Sequence, residues 1–128
     1  EKVIFTGTLD KKHVIDCYLG SDLFVFASVT ETQGLVIGEA KAAGLPVVAI
    51  DAFGVKEMVE HGRSGYLTPL NEGEFVDRIL TLLRDHQLYS RMSTAAKEEA
   101  QEISAEACAL RLVKAYQEIR HSHDVVGY

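Results

Sequence analysis

The sequence predicts an α/β fold, a Rossmann-like parallel sheet flanked by helices with a helical C-terminal part. Three observations lead there. Apolar runs rich in Val, Ile and Phe stand at residues 3–6, 23–27 and 46–50. None of them alternates with polar residues, which suits strands covered on both faces, as in parallel sheets. Helical stretches separate the runs, and strand–helix alternation through residue 68 calls for right-handed crossovers.

Each element has a local reason. Lys11–Leu19 places Val14, Ile15, Tyr18 and Leu19 on one apolar stripe. Residues 35–43 follow the second run, and Gly44 stands where a helix C-cap glycine would, just before Leu45-Pro46. Residues 55–60 read as a short helix ending at Gly62. A weaker fourth strand is Gly65–Thr68, closed by Pro69. Beyond it the chain reads as helix throughout. Glu72–Arg84 carries Phe75, Val76, Ile79, Leu80, Leu82 and Leu83. Residues 88–102 carry Tyr89, Met92, Ala95, Ala96 and Ala100. Ser104, with Glu106 beyond it, opens residues 105–120, which carry Leu110, Leu112, Val113, Tyr116 and Ile119. Residues 1–120 form one domain on this reading, and 121–128 a tail without pattern.

Composition narrows the class. With 128 residues, 47% hydrophobic and 25% charged, the chain suits a single globular domain. A disordered tail, a collagen-like fibre and a disulfide-stapled mini-protein are excluded. The net charge of −6 argues against nonspecific nucleic-acid binding, which needs a basic face. Cys17 and Cys108 have no paired framework and read as free thiols in a reducing compartment. No apolar run approaches the roughly 20 residues that cross a bilayer. A strand beginning two residues after a non-Met start predicts a piece of a longer chain, with any targeting segment upstream.

Ligand chemistry is concentrated in residues 28–40. A buried strand ends near Ser28, a polar loop with Gly34 follows, and a helix then starts. In an open α/β sheet, ligands bind beyond the carboxyl ends of the strands. The first N–H groups of a helix lack internal partners, and with the helix dipole they attract an anion, most often a phosphate. Gly34 lets a ligand approach the backbone. Glu31 lies before the helix and Glu39 five residues beyond Gly34, a helical span of roughly 7 Å. A carboxylate accepting two hydrogen bonds suits the vicinal diol of a sugar or ribose. Two such groups beside a phosphate site point to a sugar phosphate, whereas spacing alone leaves open a solvated loop Glu and a surface helix Glu.

Taken together, Phe5-Thr6-Gly7, Tyr18, Ser21-Asp22-Leu23-Phe24-Val25, Ser28, Thr30-Glu31-Thr32-Gln33-Gly34-Leu35, Glu39-Ala40, Ala43-Gly44-Leu45-Pro46-Val47-Val48 and Gly62-x-x-Gly65-Tyr66-Leu67 carry a resemblance. The pattern resembles the C-terminal, donor-binding domain of family 4 (group 1) retaining glycosyltransferases, which have the two-domain GT-B architecture. It covers residues 3–68 closely and the helical remainder loosely. Glu31 to Glu39 matches the family's E-x₇-E motif. The resemblance implies that Glu31 contacts donor-sugar hydroxyls as the catalytic residue and that Glu39 holds the ribose. It further implies that the N–H groups of Gly34, Leu35 and Val36 face the donor phosphates, with Gly7, Thr30 and Gln33 bordering the donor. The donor would be a nucleotide sugar, UDP being the commonest nucleotide in the family, with GDP and ADP as alternatives. No metal or further cofactor is implied.

Departures from the family pattern bear on activity. The Arg and Lys that neutralise the pyrophosphate lie in a family segment before the Phe-Thr-Gly strand, which this sequence lacks. Phe53 replaces the first of two glycines after the third core strand, with Gly54 and Glu57 retained. Gly38 sits inside a helix, and Ala27 stands where the family often has Pro. The chain alone is therefore expected to be inactive, with a lipid or saccharide acceptor bound by an N-terminal domain and self-association through the exposed inter-domain face. The Thr-Glu-Thr-Gln-Gly variant resembles members acting on diacylglycerol or other lipids. The whole protein is expected to be cytoplasmic or peripheral at a membrane. Competing readings are a noncatalytic nucleotide-binding or interaction module and a nucleotide-sugar epimerase. An NAD(P) domain is disfavoured, because no G-x-G-x-x-G follows a strand.

The remaining polar residues read mostly as surface. His13, His61, His86, His121 and His123 have no metal-ligand spacing, and His61 alone is placed to border the cleft. Asp51, at the end of a core strand, is expected to cap the following turn. Ser28 and Thr30 are expected to cap the helix or to bind phosphate. Tyr18 reads as core.

Overall fold

The computed structural model describes residues 2–30 and 33–125. The elements run α1 (Lys11–Leu19), β1 (Phe24–Phe26), α2 (Leu35–Ala42), β2 (Val47–Ile50), β3 (Gly65–Thr68), α3 (Glu72–Arg84), α4 (His86–Glu102) and α5 (Ala105–Val125). The three strands form a parallel sheet in the order β1-β2-β3. Their carboxyl ends therefore share one edge, where residues 27–30 and 51–60 emerge and from which Gly34 opens α2.

β2 is the centre of the molecule. All four of its residues are buried. Val47 and Ala49 pack with Ile37, Val55 and Val59 on one side, while Val48 packs with Leu82 and Met92 on the other. An unbroken apolar run is what two covered faces require. β1 is covered less well: Phe24 and Phe26 pack into the first cluster, but Val25 on the other face is exposed. β2 and β3 approach closely at Gly65, whose register partner is Val47. A side chain there would collide with the Val47 carbonyl.

Capping follows the side chains. Asp10, Asn71 and Asp85 accept hydrogen bonds from the N–H groups of His13, Glu74 and Leu88, each at 2.9 Å. Asp85 starts α4 at His86, two residues before the expected start at 88. Gly44 follows α2 as expected, with its N–H bonded to the Lys41 carbonyl at 2.8 Å. Ser104 accepts from Ala107 N–H and opens α5, which continues to Val125 rather than ending at 120. No residue of α5 whose side chain is described is buried.

Two expected elements do not form. Residues 3–6 make no strand, and Phe5 is 93% exposed. A strand is completed by a neighbour's ladder, and no described strand lies beside this one. No helix forms over residues 55–60: residues 53–58 are a series of turns, and 59–60 are irregular. The helical ladder would need the Met58 carbonyl to accept from residue 62. Instead Lys41 Nζ donates to that carbonyl at 2.6 Å, and Gly62 N–H turns to the Gly65 carbonyl at 2.8 Å.

The same Lys41 ties α2 to α4. Its ammonium, 2% exposed as a residue, lies 2.6 Å from Glu99 Oε2. Arg63 faces the other oxygen, Oε1, at 3.7 Å. Removing Lys41 leaves Glu99 buried with only the more distant Arg63 facing it, which is worse than replacing both partners with apolar groups. Lys41→Ala is expected to lower unfolding free energy by about 3–5 kcal/mol. Lys41→Met/Glu99→Leu should recover most of that loss in chemical denaturation. Gly65→Ala is expected to destabilise by about 1–3 kcal/mol, read in the same experiment, because the β2–β3 ladder must spread to admit the methyl.

Candidate functional site

The site is built where the chain leaves β1 and enters α2. Gly34 is the N-cap of α2 and adopts φ 60°, ψ 27°, with no side-chain cap. Left-handed backbone of this kind favours glycine. Space imposes the same choice: a Cβ on Gly34 would stand 2.8 Å from Met58 Cγ and 3.1 Å from the Gly54 carbonyl oxygen. The loop after β2 therefore lies directly against the start of α2.

The first backbone bonds of α2 are Ile37 N–H to the Gly34 carbonyl at 2.9 Å and Gly38 N–H to the same carbonyl at 3.4 Å. The N–H groups of Leu35 and Val36 precede them at the open end of the helix, and both residues are exposed. Together with the helix dipole they can hold an anion. Only one basic residue, Lys41 in the last turn, belongs to α2. Its ammonium is already committed to Glu99 and Met58.

Glu39 lies one turn further along. Its carboxylate is exposed, and Tyr18 donates a hydrogen bond to its Oε2 at 3.2 Å. Burial, then the hydrogen bond to Glu39, push the Tyr18 phenol above its ordinary pKa. It therefore remains a donor at neutral pH and orients the carboxylate. The ring of Tyr18 also meets Phe24 edge-on at 5.9 Å, so α1 is anchored to the sheet and to Glu39 by one residue. Glu39 borders a cleft of about 730 Å³ between α1 and α2, lined by Leu9, Val14, Ile15, Tyr18 and Ala43. Ligand pockets commonly fall in that range of volume.

The expected site residues divide clearly. Gly34, Leu35, Val36 and Glu39 share one helix, and Gly34 is packed beneath the loop after β2. Gln33 is exposed at the entrance of α2. Glu31 lies outside the described residues. Gly7 takes φ 63° in an exposed segment, with no atom beyond its chain neighbours within 4 Å of where a Cβ would stand. Ser28 and Thr30 do not cap α2. Ser28 Oγ instead accepts from Thr30 N–H at 3.4 Å, a bond local to the loop. Tyr18 is half-buried and polar in role rather than simple core. His61 Nδ1 accepts from Leu67 N–H at 3.0 Å, which gives it a role in holding β3. Asp51 is exposed, with its own N–H bonded to the Thr68 carbonyl. Phe53 is 73% exposed on ordinary backbone, so the glycine of the family pattern is not required there.

Lys41 and Met58 escape a motif-based reading. Lys41 falls four residues after Ile37, on the buried face of α2. A Lys at that position signals a buried ion pair, though not its partner. Gly38 is explained by Met58: a Cβ on it would lie 3.3 Å from Met58 Cε and 3.4 Å from Ile103 Cδ1. Among the described residues no three of His, Cys, Asp and Glu are grouped to hold a metal ion, and no helix is long and apolar enough to cross a membrane.

Comparison with known proteins shows similarity to glycosyltransferases. The chain is 34% identical over 113 residues to the sulfoquinovosyl transferase SQD2 of Arabidopsis thaliana, covering 85% of this chain and 22% of that protein. It is 34% identical over 103 residues to the N-acetyl-alpha-D-glucosaminyl L-malate synthase of Bacillus anthracis, covering 80% and 26%. It is 36% identical over 89 residues to a GDP-mannose-dependent alpha-mannosyltransferase of Mycobacterium tuberculosis, covering 68% and 24%. It thus spans about a quarter of the length of these relatives. Among solved structures, Anabaena HepE in complex with UDP-glucose superposes with a TM-score of 0.69 at 31% identity, covering 80% of this chain and 29% of that one. The family profile "Glycosyl transferases group 1" matches residues 1–99, and the chain belongs to that family.

Proposed function

We propose that this chain is the donor-binding domain of a retaining glycosyltransferase that moves a sugar from a nucleotide sugar to a lipid or saccharide acceptor. The diphosphate sits at the open end of α2, on the N–H groups of Gly34, Leu35 and Val36. Glu39 holds the ribose hydroxyls, and Glu31 meets the sugar and acts as the catalytic carboxylate. Thr30, Gln33 and Gly7 border the donor. The observation that carries this reading is the left-handed Gly34, which opens α2 at the carboxyl edge of a parallel sheet with Glu39 one turn away. UDP is the proposed nucleotide, supported by the Anabaena structure with UDP-glucose.

Turnover needs more than this domain. Stabilising the leaving diphosphate is a large catalytic term, and enclosure of the reacting groups needs a second domain. The chain alone is expected to show no transfer in a product assay with UDP-glucose, while the full-length protein does.

Saturation-transfer NMR with UDP-, GDP- and ADP-glucose tests the donor reading. One nucleotide is expected to show transfer to its ribose, and Glu39→Ala to weaken it about tenfold. Glu31→Ala should weaken UDP-glucose while leaving UDP unchanged. A full-length protein that binds none of the three would overturn the reading. Gly34→Ala combines an unfavourable backbone with a clash against Met58. It is expected to cost about 1–2 kcal/mol in stability and, in titration calorimetry, to reduce UDP affinity more than uridine affinity.

A further inference from the structure

We infer that Lys41 is a positioning residue for the diphosphate-binding end of α2, acting through the turn at residues 53–58. The inference rests on the donor reading above. Lys41 itself lies in the last turn of α2 and is buried, with its ammonium on Glu99 of α4. Its ammonium donates to Glu99 Oε2 and to the Met58 carbonyl, both at 2.6 Å. Met58 is thereby held at its backbone. Its side chain then runs along α2 across Gly34 and Gly38, as the short approaches to Met58 Cγ and Cε show. The Gly54 carbonyl, at the start of the same turn, closes on the same side of Gly34, 3.1 Å from where a Cβ would stand. One buried cation therefore fixes the turn that presses on the residue from which α2 begins.

Stability alone gives weak reason for this arrangement. A buried ion pair contributes little more than a well-packed apolar pair of the same volume, and often less. What an apolar pair cannot do is fix the Met58 carbonyl at one point. Directional placement is thus the property that distinguishes Lys41 from a Met or Leu in its place. Arg63 completes the arrangement by facing Glu99 Oε1 from the end of the same loop, at 3.7 Å.

The test uses the full-length protein carrying Lys41→Met/Glu99→Leu, which removes the charges together. Amide hydrogen exchange without ligand reads the turn directly, since local opening sets the rate. Exchange at Ile37, Val55, Lys56 and Met58, whose N–H groups are hydrogen-bonded within the helix start and the turn, is expected to quicken about tenfold while the melting temperature stays near that of the parent. UDP affinity should fall about tenfold, and uridine affinity should be unchanged. Unchanged exchange overturns the inference, whatever happens to UDP. Met58→Ala reads the same linkage without touching the ion pair and serves if the double variant does not fold. It should weaken UDP several-fold, and an unchanged affinity overturns the inference. If the parent binds no nucleotide, the donor reading falls, while ligand-free exchange still decides the role of Lys41.

Discussion

The two-sided burial of β2 is the constraint on which the other features depend. Val47 and Ala49 need α2 and the 55–59 turns on one face, and Val48 needs α3 and α4 on the other. A strand covered in this way can have its neighbours parallel, with connections that pass over the faces. Parallel neighbours bring the loops after β1 and β2 to the same edge. Only there can the loop after β2 reach Gly34, and only then is glycine required at that position. The site is thus a consequence of how the central strand is covered.

What could be read from sequence was what local chemistry decides. The run at 46–50 is apolar throughout, so its burial was legible. The capping residues Asp10, Asn71 and Asp85 each act within three residues of themselves. Gly34 and Glu39 were legible through spacing on a helix whose start was evident. Residues 3–6 have the composition of a strand, but composition supplies no partner for the ladder. Residues 55–60 have helical spacing, yet a Lys fourteen or more positions upstream takes the carbonyl that the helix would use. Such competition between a local ladder and a distant donor has no trace in the segment itself.

Gly38 shows how local and tertiary preferences trade. Inside a helix it is worse than Ala by about 1 kcal/mol. In the fold its missing side chain makes room for Met58 and Ile103. The helix is weakened where it stands alone and strengthened where the turn packs on it. Gly34 and Gly38 form one shallow groove on α2, and Met58 fills it. The loop after β2 is therefore held along one face of α2, by shape at Gly34 and Gly38 and by the Lys41 ammonium one turn further on.

The negative net charge poses no obstacle to binding a diphosphate. An anion at the end of α2 meets backbone N–H groups and a helix dipole, whose fields act over a single turn. The distant carboxylates are screened over roughly 8–10 Å at ordinary salt. A site made of backbone also recognises a diphosphate without regard to the sugar attached to it. The proposed site is in keeping with relatives named for sulfoquinovosyl, N-acetylglucosaminyl and mannosyl transfer, at 34–36% identity to this chain. Discrimination between sugars must then come from side chains. On the proposed reading, exposed residues beside the open end of α2, such as Gln33, are the candidates to supply them.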